Sequence, residues 1–140
     1  MKNDKNCLYC TRNALQKELM IEICDLNIST LFLFKEQSYS GRCVVAFKDH
    51  VNELYELCEE DRNLFMKDVA HVAKTLNKIF SSKKINYGAY SDKLAHLHFH
   101  IVPKYEDSLN FGSTFEMNPK KIYLTDTEYR AIIERIKSQL

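Results

Sequence analysis

The amino-acid sequence predicts an α+β protein with a mainly antiparallel sheet. Three short apolar segments follow one another near the amino terminus, separated by turn-like residues, as neighbouring antiparallel strands often are. A long segment with helical periodicity comes next, and a later strand carries three histidines at every second position. Because 140 residues with 45% hydrophobic content suit one buried core, residues 1–140 are predicted to form a single domain.

The first three strands are predicted at residues 18–26 (ELMIEICDL), 29–36 (STLFLFKE) and 41–50 (GRCVVAFKDH). A short turn near Asn27 joins the first two, and Gly41 opens the third. From about residue 60 to residue 80, apolar side chains recur at i, i+3 and i+4 spacing, which predicts an amphipathic helix. His71 falls on the polar side of this helix, where we expect it to be exposed to solvent.

Two more strands and a helix complete the predicted fold. Residues 84–90 (KINYGAY) precede the histidine strand, which Pro103 ends. A C-terminal helical extension is predicted at about 125–140, because Thr125 and Glu128 have the spacing of a capping box. Its apolar residues form one stripe that we expect to be buried, in this chain or against a partner chain: Tyr129, Ile132, Ile133, Ile136 and Leu140.

The histidine strand alternates histidine with apolar residues in the sequence HLHFHI, residues 96–101. A β-strand sends successive side chains to opposite faces, so His96, His98 and His100 are predicted to share one face. The apolar side chains between them then form the opposite face, which is suited to burial. We therefore expect the strand to be anchored in the core by one face and to present imidazoles on the other.

Three interpretations of such a face are open. A histidine-rich surface without a role is one interpretation. A metal site is a second, because imidazoles at i and i+2 lie about 6.5 to 7 Å apart and can converge on zinc; one form of it is a metal hydrolase with an open coordination position. Nucleophilic catalysis is a third, since His98 has a histidine on either side and a neutral imidazole can attack phosphorus. His100 would then stabilise the phosphoryl oxygens or protonate the leaving group.

Composition narrows the choice of partners and compartment. The chain has 20 basic and 19 acidic residues, so its net charge of +1 provides no general attraction to nucleic acid or to an anionic membrane. No apolar run approaches the roughly 20 residues needed to cross a bilayer, and the amino terminus is too polar for a signal peptide. We therefore expect a cytoplasmic protein that binds neither membranes nor a specific nucleic acid.

The cysteines point away from a disulfide framework, because their number, five, is odd. We expect free thiols or metal ligands. Cys7 and Cys10 form a C-x-x-C pair, a signal that by itself also fits two free thiols or a redox pair. Cys24, Cys43 and Cys58 lie in apolar patterns and are interpreted as buried.

The segment HLHFHIV resembles the pattern His-φ-His-φ-His-φ-φ, with φ apolar, of the histidine triad (HIT) superfamily of nucleotide hydrolases and transferases. The resemblance extends to CLYC near the amino terminus, to GRCVVAFKDH and to the long helix that follows, and so covers most of residues 7–105. It implies the HIT-like fold, an antiparallel sheet of about five strands with two main helices, usually in a homodimer.

The resemblance implies a hydrolase or transferase that acts on nucleoside phosphoramidates or dinucleoside polyphosphates through a covalent nucleotidyl-histidine intermediate. By that likeness His98 is the nucleophile and His100 its partner on the phosphate side. In the zinc-bearing branch of the family, the metal ligands correspond here to a closed and therefore structural Cys₂His₂ set: Cys7, Cys10, His50 and His96. A low-turnover regulatory protein that binds nucleotide or metal remains the alternative.

The resemblance also implies substrate contacts, by Leu8 and Tyr9 at the base, Glu36 or Gln37 at the ribose and Asn86 at the phosphate. The two base contacts fit a plain core role equally well, and Asn86 fits a turn. The chain departs from the family where Ser91 and Asp92 replace a Gly-Gln pair and Lys93 replaces a serine or threonine. Since these positions usually touch the phosphate side of the ligand, the likeness does not specify the substrate.

Overall fold

Five antiparallel strands form one sheet in the computed structural model, which describes residues 2–140. They are β1 (Met20–Asp25), β2 (Ser29–Phe34), β3 (Cys43–Phe47), β4 (Lys84–Gly88) and β5 (His98–Lys104). The order across the sheet is β1-β2-β3-β5-β4, and every neighbouring pair is antiparallel. The predicted antiparallel α+β fold is therefore confirmed, and β1 to β4 each lie inside a predicted segment. The prediction that Pro103 ends the histidine strand is wrong, because β5 continues through Pro103 to Lys104 in register with β4. Beyond Ile101 this strand pairs with β4 alone, so the N–H that proline lacks can fall on the unpaired side.

The helices found within residues 2–140 are α1 (Leu8–Thr11), α2 (Ala14–Leu19), α3 (Glu59–Phe80) and α4 (Asp126–Gln139), and a short 3₁₀ turn spans Leu54–Glu56. The helices α3 and α4 are the two predicted ones, and α4 begins after the predicted cap, where the Thr125 side chain accepts from Glu128 N. The sequence does not predict α1 and α2, and α2 takes the first residues of the first predicted strand. Helices this short carry too little periodicity to be recognised.

One face of the sheet packs on α3 and α4, and we call it the helix face. Its core includes Leu33 of β2, Val45 of β3 and Ile101 of β5, which are all fully buried. The apolar stripe of α3 lies in the same cluster: Phe65, Val69, Val72, Ala73 and Leu76. Because this stripe is buried within the chain, it is not available to a partner chain.

The stripe of α4 joins the same core, as the sequence predicts. Two of its residues are buried and three are partly buried against the cluster: Tyr129 and Ile136, then Ile132, Ile133 and Leu140. The Tyr129 hydroxyl donates to Lys35 O at 2.7 Å and ties α4 to the end of β2. The C-terminal helix thus helps to cover the helix face within a single chain.

The opposite face carries the histidines, and we call it the histidine face. The helices α1 and α2 cover it over β1 to β3, where Leu8 packs in one cluster with Phe32. On the other side, the segment 105–125 returns over β5 and buries Phe115. The last two histidines of the triad lie between these covers.

A buried carboxylate holds the turn between β1 and β2. Asp68 of α3 is 1% exposed and accepts from Asn27 Nδ2 at 2.7 Å and from Asn27 N at 3.3 Å. It also accepts from Ile28 N at 3.0 Å and from Ser29 Oγ at 2.6 Å. This clamp fixes the predicted turn to the long helix.

Two smaller sequence predictions have clear outcomes. His71 is exposed, as predicted. Cys43 is buried and Cys24 partly buried, but Cys58 is exposed, so its predicted burial is wrong. Cys58 occupies the N-cap position of α3 at the surface, where its side chain makes no capping hydrogen bond. Within the part of the chain that the structure describes, no helix has both the length and the apolar character to cross a bilayer.

Candidate functional site

Antiparallel register places the last two triad histidines beside small or apolar residues of β3. Ala46 lies opposite His98, and Val44 lies opposite His100. His96 lies just before β5. The three imidazoles are buried, with exposed fractions of 1%, 6% and 4% in chain order. The histidine face is therefore an interior site, covered by other parts of the same chain.

The hydrogen bond of His98 fixes its tautomer. Its Nδ1 lies 2.7 Å from His96 O, and a carbonyl oxygen only accepts, so Nδ1 carries the proton. Nε2 is then the unprotonated nitrogen with a free lone pair. Burial lowers the pKa of His98, which keeps the ring neutral near pH 7. A neutral, oriented imidazole of this kind is suited to nucleophilic attack.

Aromatic side chains enclose both imidazoles. The Tyr9 ring of α1 lies 4.9 Å from the His98 ring. Phe34 meets the His100 ring edge-on at 5.3 Å, and Phe115 lies 6.1 Å from it. These apolar neighbours lower the local dielectric, so charges and hydrogen bonds within the site act more strongly than they would in water.

The guanidinium of Arg42, a residue that the sequence patterns do not single out, contacts His100. Arg42 is 0% exposed, and its Nη2 lies 3.1 Å from His100 Nδ1. The guanidinium stacks over the Phe34 ring at 4.1 Å and donates through Nη1 to Met117 O at 2.6 Å. One sequence signal does point to Arg42: it precedes Val44 by two residues and therefore shares the histidine face.

A second group of side chains converges beside His96. The ligand atoms of four residues, Cys7, Cys10, His50 and His96, all lie within 4.8 Å of one another. His96 Nε2 lies 2.7 Å from Phe47 O and therefore carries the proton, which leaves Nδ1 as the nitrogen with a free lone pair. It is this Nδ1 that adjoins the other donor atoms. The structure thus brings together the four residues that the sequence resemblance implies as metal ligands.

The spacing of these donor atoms fits a tetrahedral zinc ion. Ordinary zinc bonds predict edges of about 3.3 Å between two nitrogens and about 3.6 Å between nitrogen and sulfur. The Nδ1 atoms of His50 and His96 lie 3.3 Å apart, and the nitrogen to sulfur distances are 3.3, 3.4 and 3.7 Å. His50 Nε2 faces Asp4 Oδ2 at 3.7 Å, and a carboxylate behind a ligating histidine is a common second partner. Such a closed set suits a structural metal.

The model of the HIT domain family matches residues 21–107, more than half of the chain. The matched region contains the whole sheet except the first residue of β1, together with α3 and the triad. This chain belongs to the HIT domain family. The predicted family and its fold are thereby confirmed, and membership supports an enzyme of the hydrolase kind.

Similar proteins match the HIT chain over nearly its full length. An adenosine 5'-monophosphoramidase of Schizosaccharomyces pombe is 22% identical over 141 residues, with 96% of this chain and 98% of that protein covered. A histidine triad protein from Sinorhizobium meliloti has a TM-score of 0.84 at 22% identity, with 91% and 95% covered. A Zn-bound histidine triad family protein from Mycobacterium smegmatis has a TM-score of 0.67 at 15% identity, with 95% and 94% covered. These solved structures share the HIT fold.

The HIT resemblance predicts a ribose contact by Glu36 or Gln37, but both side chains are buried in the loop between β2 and β3. Glu36 Oε1 accepts from Ile122 N at 3.1 Å, and Gln37 Nε2 donates to Phe34 O at 2.6 Å. Their polar groups shape the loop and are turned away from solvent. The contact with ribose stays a prediction, and a ribose would have to displace these internal hydrogen bonds to make it.

The other predicted substrate contacts of this HIT chain are distributed over the histidine face. Tyr9 adjoins His98, whereas Leu8 is buried among the core residues under α1. Asn86 lies on β4, half-buried, in register with the same face of β5. Ser91, which departs from the family pattern, places Oγ 3.1 Å from His98 Nδ1, while the next two residues are exposed.

A cleft of about 370 Å³ adjoins the triad. Tyr9 lines this cleft and also contacts His98, so the cleft and the triad share one wall. The lining combines apolar side chains with cationic ones: Phe32 and Ala46, then Lys2, Arg12 and Lys48. The lining also includes the Asp25 carboxylate, which lies 3.8 Å from Lys48, and Arg12 pairs with Glu22 at 2.8 Å. The cleft is therefore mixed in charge, and its apolar side chains suit a planar ring.

Proposed function

We propose that this protein is a nucleotide hydrolase that cleaves nucleoside phosphoramidates or dinucleoside polyphosphates through a covalent intermediate on His98. The observation that carries the proposal is the 2.7 Å hydrogen bond from His98 Nδ1 to His96 O, because it leaves Nε2 free to attack. HIT family membership and the adenosine 5'-monophosphoramidase relative support the same class of reaction. His100 serves the phosphate side of the site.

The reaction has two steps. His98 Nε2 forms a bond to the α-phosphorus while the bond from phosphorus to the leaving nitrogen or oxygen breaks; the leaving group departs with that electron pair and takes a proton from solvent. Water then attacks the same phosphorus, the bond to Nε2 breaks, and its electron pair returns to the imidazole. The attacking water releases a proton to solvent, so the net reaction consumes water and restores His98.

The cleft beside Tyr9 is assigned to the nucleoside. A base that enters it meets the rings of Tyr9 and Phe32, which suit stacking, while Lys2 in the lining suits a phosphate. The Tyr9 ring lines this cleft and lies 4.9 Å from the His98 ring, so a nucleotide that stacks on Tyr9 would have to extend its phosphates past this ring to reach His98.

Zinc is assigned to the Cys₂His₂ group, with Cys7, Cys10, His50 and His96 as its ligands. A closed set of this type stabilises a fold when the metal is bound and leaves no position for substrate. The Zn-bound histidine triad family protein among the similar structures supports the choice of metal.

Adduct formation tests the proposal. Adenosine 5'-phosphoramidate or diadenosine tetraphosphate, labelled at the α-phosphorus, is incubated with the protein, and acid-labile label that stays on the protein is measured. We expect label on the wild type, and loss of turnover by several orders of magnitude in His98→Asn, because an amide has no basic lone pair for attack. Nucleotide affinity should be nearly unchanged in that variant.

The matched control is His71→Asn, since His71 is an exposed histidine on α3. It should form the adduct at the wild-type rate. Hydrolysis at the parental rate by His98→Asn, in a preparation free of contaminating enzyme, would show that the covalent mechanism is wrong.

A low-turnover regulatory protein that binds nucleotide or metal is the second candidate. The observation that favours it is burial, because His98 and His100 are only 6% and 4% exposed. Under this alternative, calorimetry detects nucleotide binding, but no label accumulates on the wild type above the level found on His98→Asn. The same labelling experiment therefore separates the two candidates.

A further inference from the structure

Arg42 and His100 form a hydrogen bond in which Arg42 must be the donor. A guanidinium near neutral pH has only N–H donors, and the pKa of Arg42, lowered by burial to about 10, keeps it cationic there. Its Nη2, 3.1 Å away, must therefore donate to His100 Nδ1. His100 Nδ1 then holds the lone pair, and the ring proton sits on Nε2. The arginine thus selects one tautomer of the third histidine.

The position of His100 makes this tautomer relevant to phosphorus chemistry. The rings of His98 and His100 lie 5.3 Å apart between centroids. A phosphoryl group attached to His98 would therefore lie within reach of a donor on His100. From this geometry we propose that Arg42 is a positioning residue, which holds His100 as a neutral hydrogen-bond donor to the phosphoryl oxygens and not as the acid that protonates the leaving group.

This inference rests on the proposed function, and it decides between two roles for His100. Transfer of the Nε2 proton would leave an imidazolate anion, because Nδ1 has no proton of its own. Protonation to an imidazolium would need Nδ1, which Arg42 already occupies; burial, followed by the charges of Arg42 and His98, lowers the pKa of His100 to about 2. A fixed donor can still stabilise charge on the phosphoryl oxygens without giving up its proton.

The surroundings of Arg42 hold it in this position. Its guanidinium is clamped between the Phe34 ring at 4.1 Å and the Phe115 ring at 5.2 Å. Arg42 Nη1 also lies 3.9 Å from Glu36 Oε2, the nearest opposite charge. Glu36 therefore balances the cation beside the triad, which gives this buried carboxylate a function other than ribose binding.

Arg42 and His98 are the two ionisable neighbours that shift the pKa of His100. The residues against it include Phe34 of β2, Phe115 of the segment 105–125, Gly88 of β4, His98 of β5 and Arg42. The first three carry no titratable group. A change in the state of His100 on removal of Arg42 is therefore attributable to the arginine, with His98 as the one neighbour to monitor in the same spectra.

The first test reads the tautomer directly. Nitrogen-15 spectra of imidazole-labelled protein distinguish protonated from unprotonated ring nitrogens, and the His100 signals are those lost in His100→Asn. In the wild type we expect an unprotonated Nδ1 and a protonated Nε2 across the neutral range. Arg42→Gln should populate the opposite tautomer, because a carboxamide oxygen can accept from Nδ1–H. Arg42→Lys keeps a cation that only donates and should retain the native tautomer.

The same variants give a kinetic readout. Removal of a preorganised donor typically lowers the rate about 10²- to 10³-fold. Because glutamine allows both tautomers of His100, only part of the Arg42→Gln molecules lack the donor, and the loss should be about 10- to 100-fold. We expect this loss in the rate of adduct formation by Arg42→Gln, with KM nearly unchanged and most of the rate recovered in Arg42→Lys. The matched control is Arg135→Gln, whose guanidinium also stacks on a phenylalanine, Phe80 at 5.4 Å, but lies on α4 at the helix face.

Arg42 is fully buried, so Arg42→Gln could fail to fold. A second test therefore leaves Arg42 unchanged. His100→Asn is compared with wild type on an adenosine phosphoramidate, whose amine needs a proton to leave, and on adenosine 5'-(4-nitrophenyl phosphate), whose phenolate does not. A fixed donor predicts the same loss of rate on both substrates. A defect confined to the amine would show that His100 is an acid and would overturn the proposal.

Two further results bear on the proposal. A wild-type spectrum with the proton on His100 Nδ1 would overturn it. Unchanged adduct formation in Arg42→Gln, together with an unchanged tautomer, would also overturn it. A wild type that forms no adduct with any nucleotide refutes the proposed function instead, and the nitrogen-15 spectra still decide whether Arg42 selects the tautomer.

Discussion

Zinc in the Cys₂His₂ group should hold α1 against the sheet, and Cys10→Ser tests this. The substitution removes a thiolate ligand from one end of α1 and leaves the other donor atoms in place. Serine is a poor zinc ligand at neutral pH, because zinc in proteins is bound by thiolate, imidazole and carboxylate groups. We therefore expect the variant to lose the metal, and α1 to lose its attachment.

The expected magnitude follows from how little else holds α1. This helix has 4 residues, too few to be stable without other contacts. Burial of Leu8, which is 2% exposed, stabilises it by about 1.5 to 3 kcal/mol, and the packing of the Tyr9 ring on Phe32 and His98 adds at most about the same again. Ordering each backbone residue costs about 1 to 2 kcal/mol, so this burial does not offset the lost entropy of the helix. Bound metal, at a free concentration of about 1,000 times its Kd, adds about 4 kcal/mol to the stability of the folded state. This is enough to keep α1 attached to the sheet.

This free energy converts to a melting temperature through the size of the chain. Unfolding has an entropy of about 2.1 cal/mol/K per residue, or about 0.3 kcal/mol per degree for 140 residues. A loss of about 3 to 4 kcal/mol should therefore lower Tm by about 10 to 14 °C. Adding a chelator to the wild type should have a similar effect.

Circular dichroism melts with zinc and with chelator check this expectation. The control is Cys58→Ser, the same substitution at an exposed thiol at the start of α3. It should melt as the wild type does and should lose stability with chelator, whereas Cys10→Ser should melt low in both buffers. Zinc-replete melts of the two variants within about 3 °C, a difference of about 1 kcal/mol, would refute the reasoning. So would reduced wild-type protein that takes up no zinc by elemental analysis.

Two other predictions concern Asp68, which holds the turn between β1 and β2, and the oligomeric state of the chain. Asp68→Asn should lower the free energy of unfolding by about 2 to 3 kcal/mol. The new amide nitrogen would face Ile28 N–H or the Asn27 donors, so one buried donor would lose its acceptor. Equal urea midpoints for this variant and for the exposed control Asp107→Asn would contradict the prediction. We expect a homodimer joined along the edge strand β4, where Tyr87 is 54% exposed. Light scattering should give twice the mass of one chain, and a monomer at micromolar concentration would contradict the dimer.

Periodicity made much of the fold and of the triad predictable from sequence. The alternation HLHFHI determines which side chains share a face, because a strand alternates whatever its partners are. The long helix α3 has enough turns for its apolar stripe to be recognised. The helices α1 and α2 have 4 and 6 residues, which is too few for a period to be detected. Tertiary contacts therefore decide their conformation.

The contacts that sequence reasoning missed depend on loops and on distant residues. Glu36 and Gln37 are polar residues after a strand, a position that ordinarily faces solvent. They are buried because the segment 105–125 returns across this loop, where Ile122 N donates to Glu36. The same return places Met117 O against Arg42. No local pattern contains this information, since the partners are about 75 to 86 residues apart in the chain.

The triad histidines are not interchangeable, and His96 shows why. Its Nδ1 adjoins the metal-ligand group, its Nε2 donates to Phe47 O, and its backbone carbonyl accepts from His98 Nδ1 at 2.7 Å. The backbone carbonyl of His96 therefore orients the lone pair of His98, and the Cys₂His₂ group fixes the His96 side chain. A metal there would position the nucleophile through this backbone contact without touching the substrate. His96 thus acts through its side chain on the metal-ligand group and through its backbone carbonyl on His98.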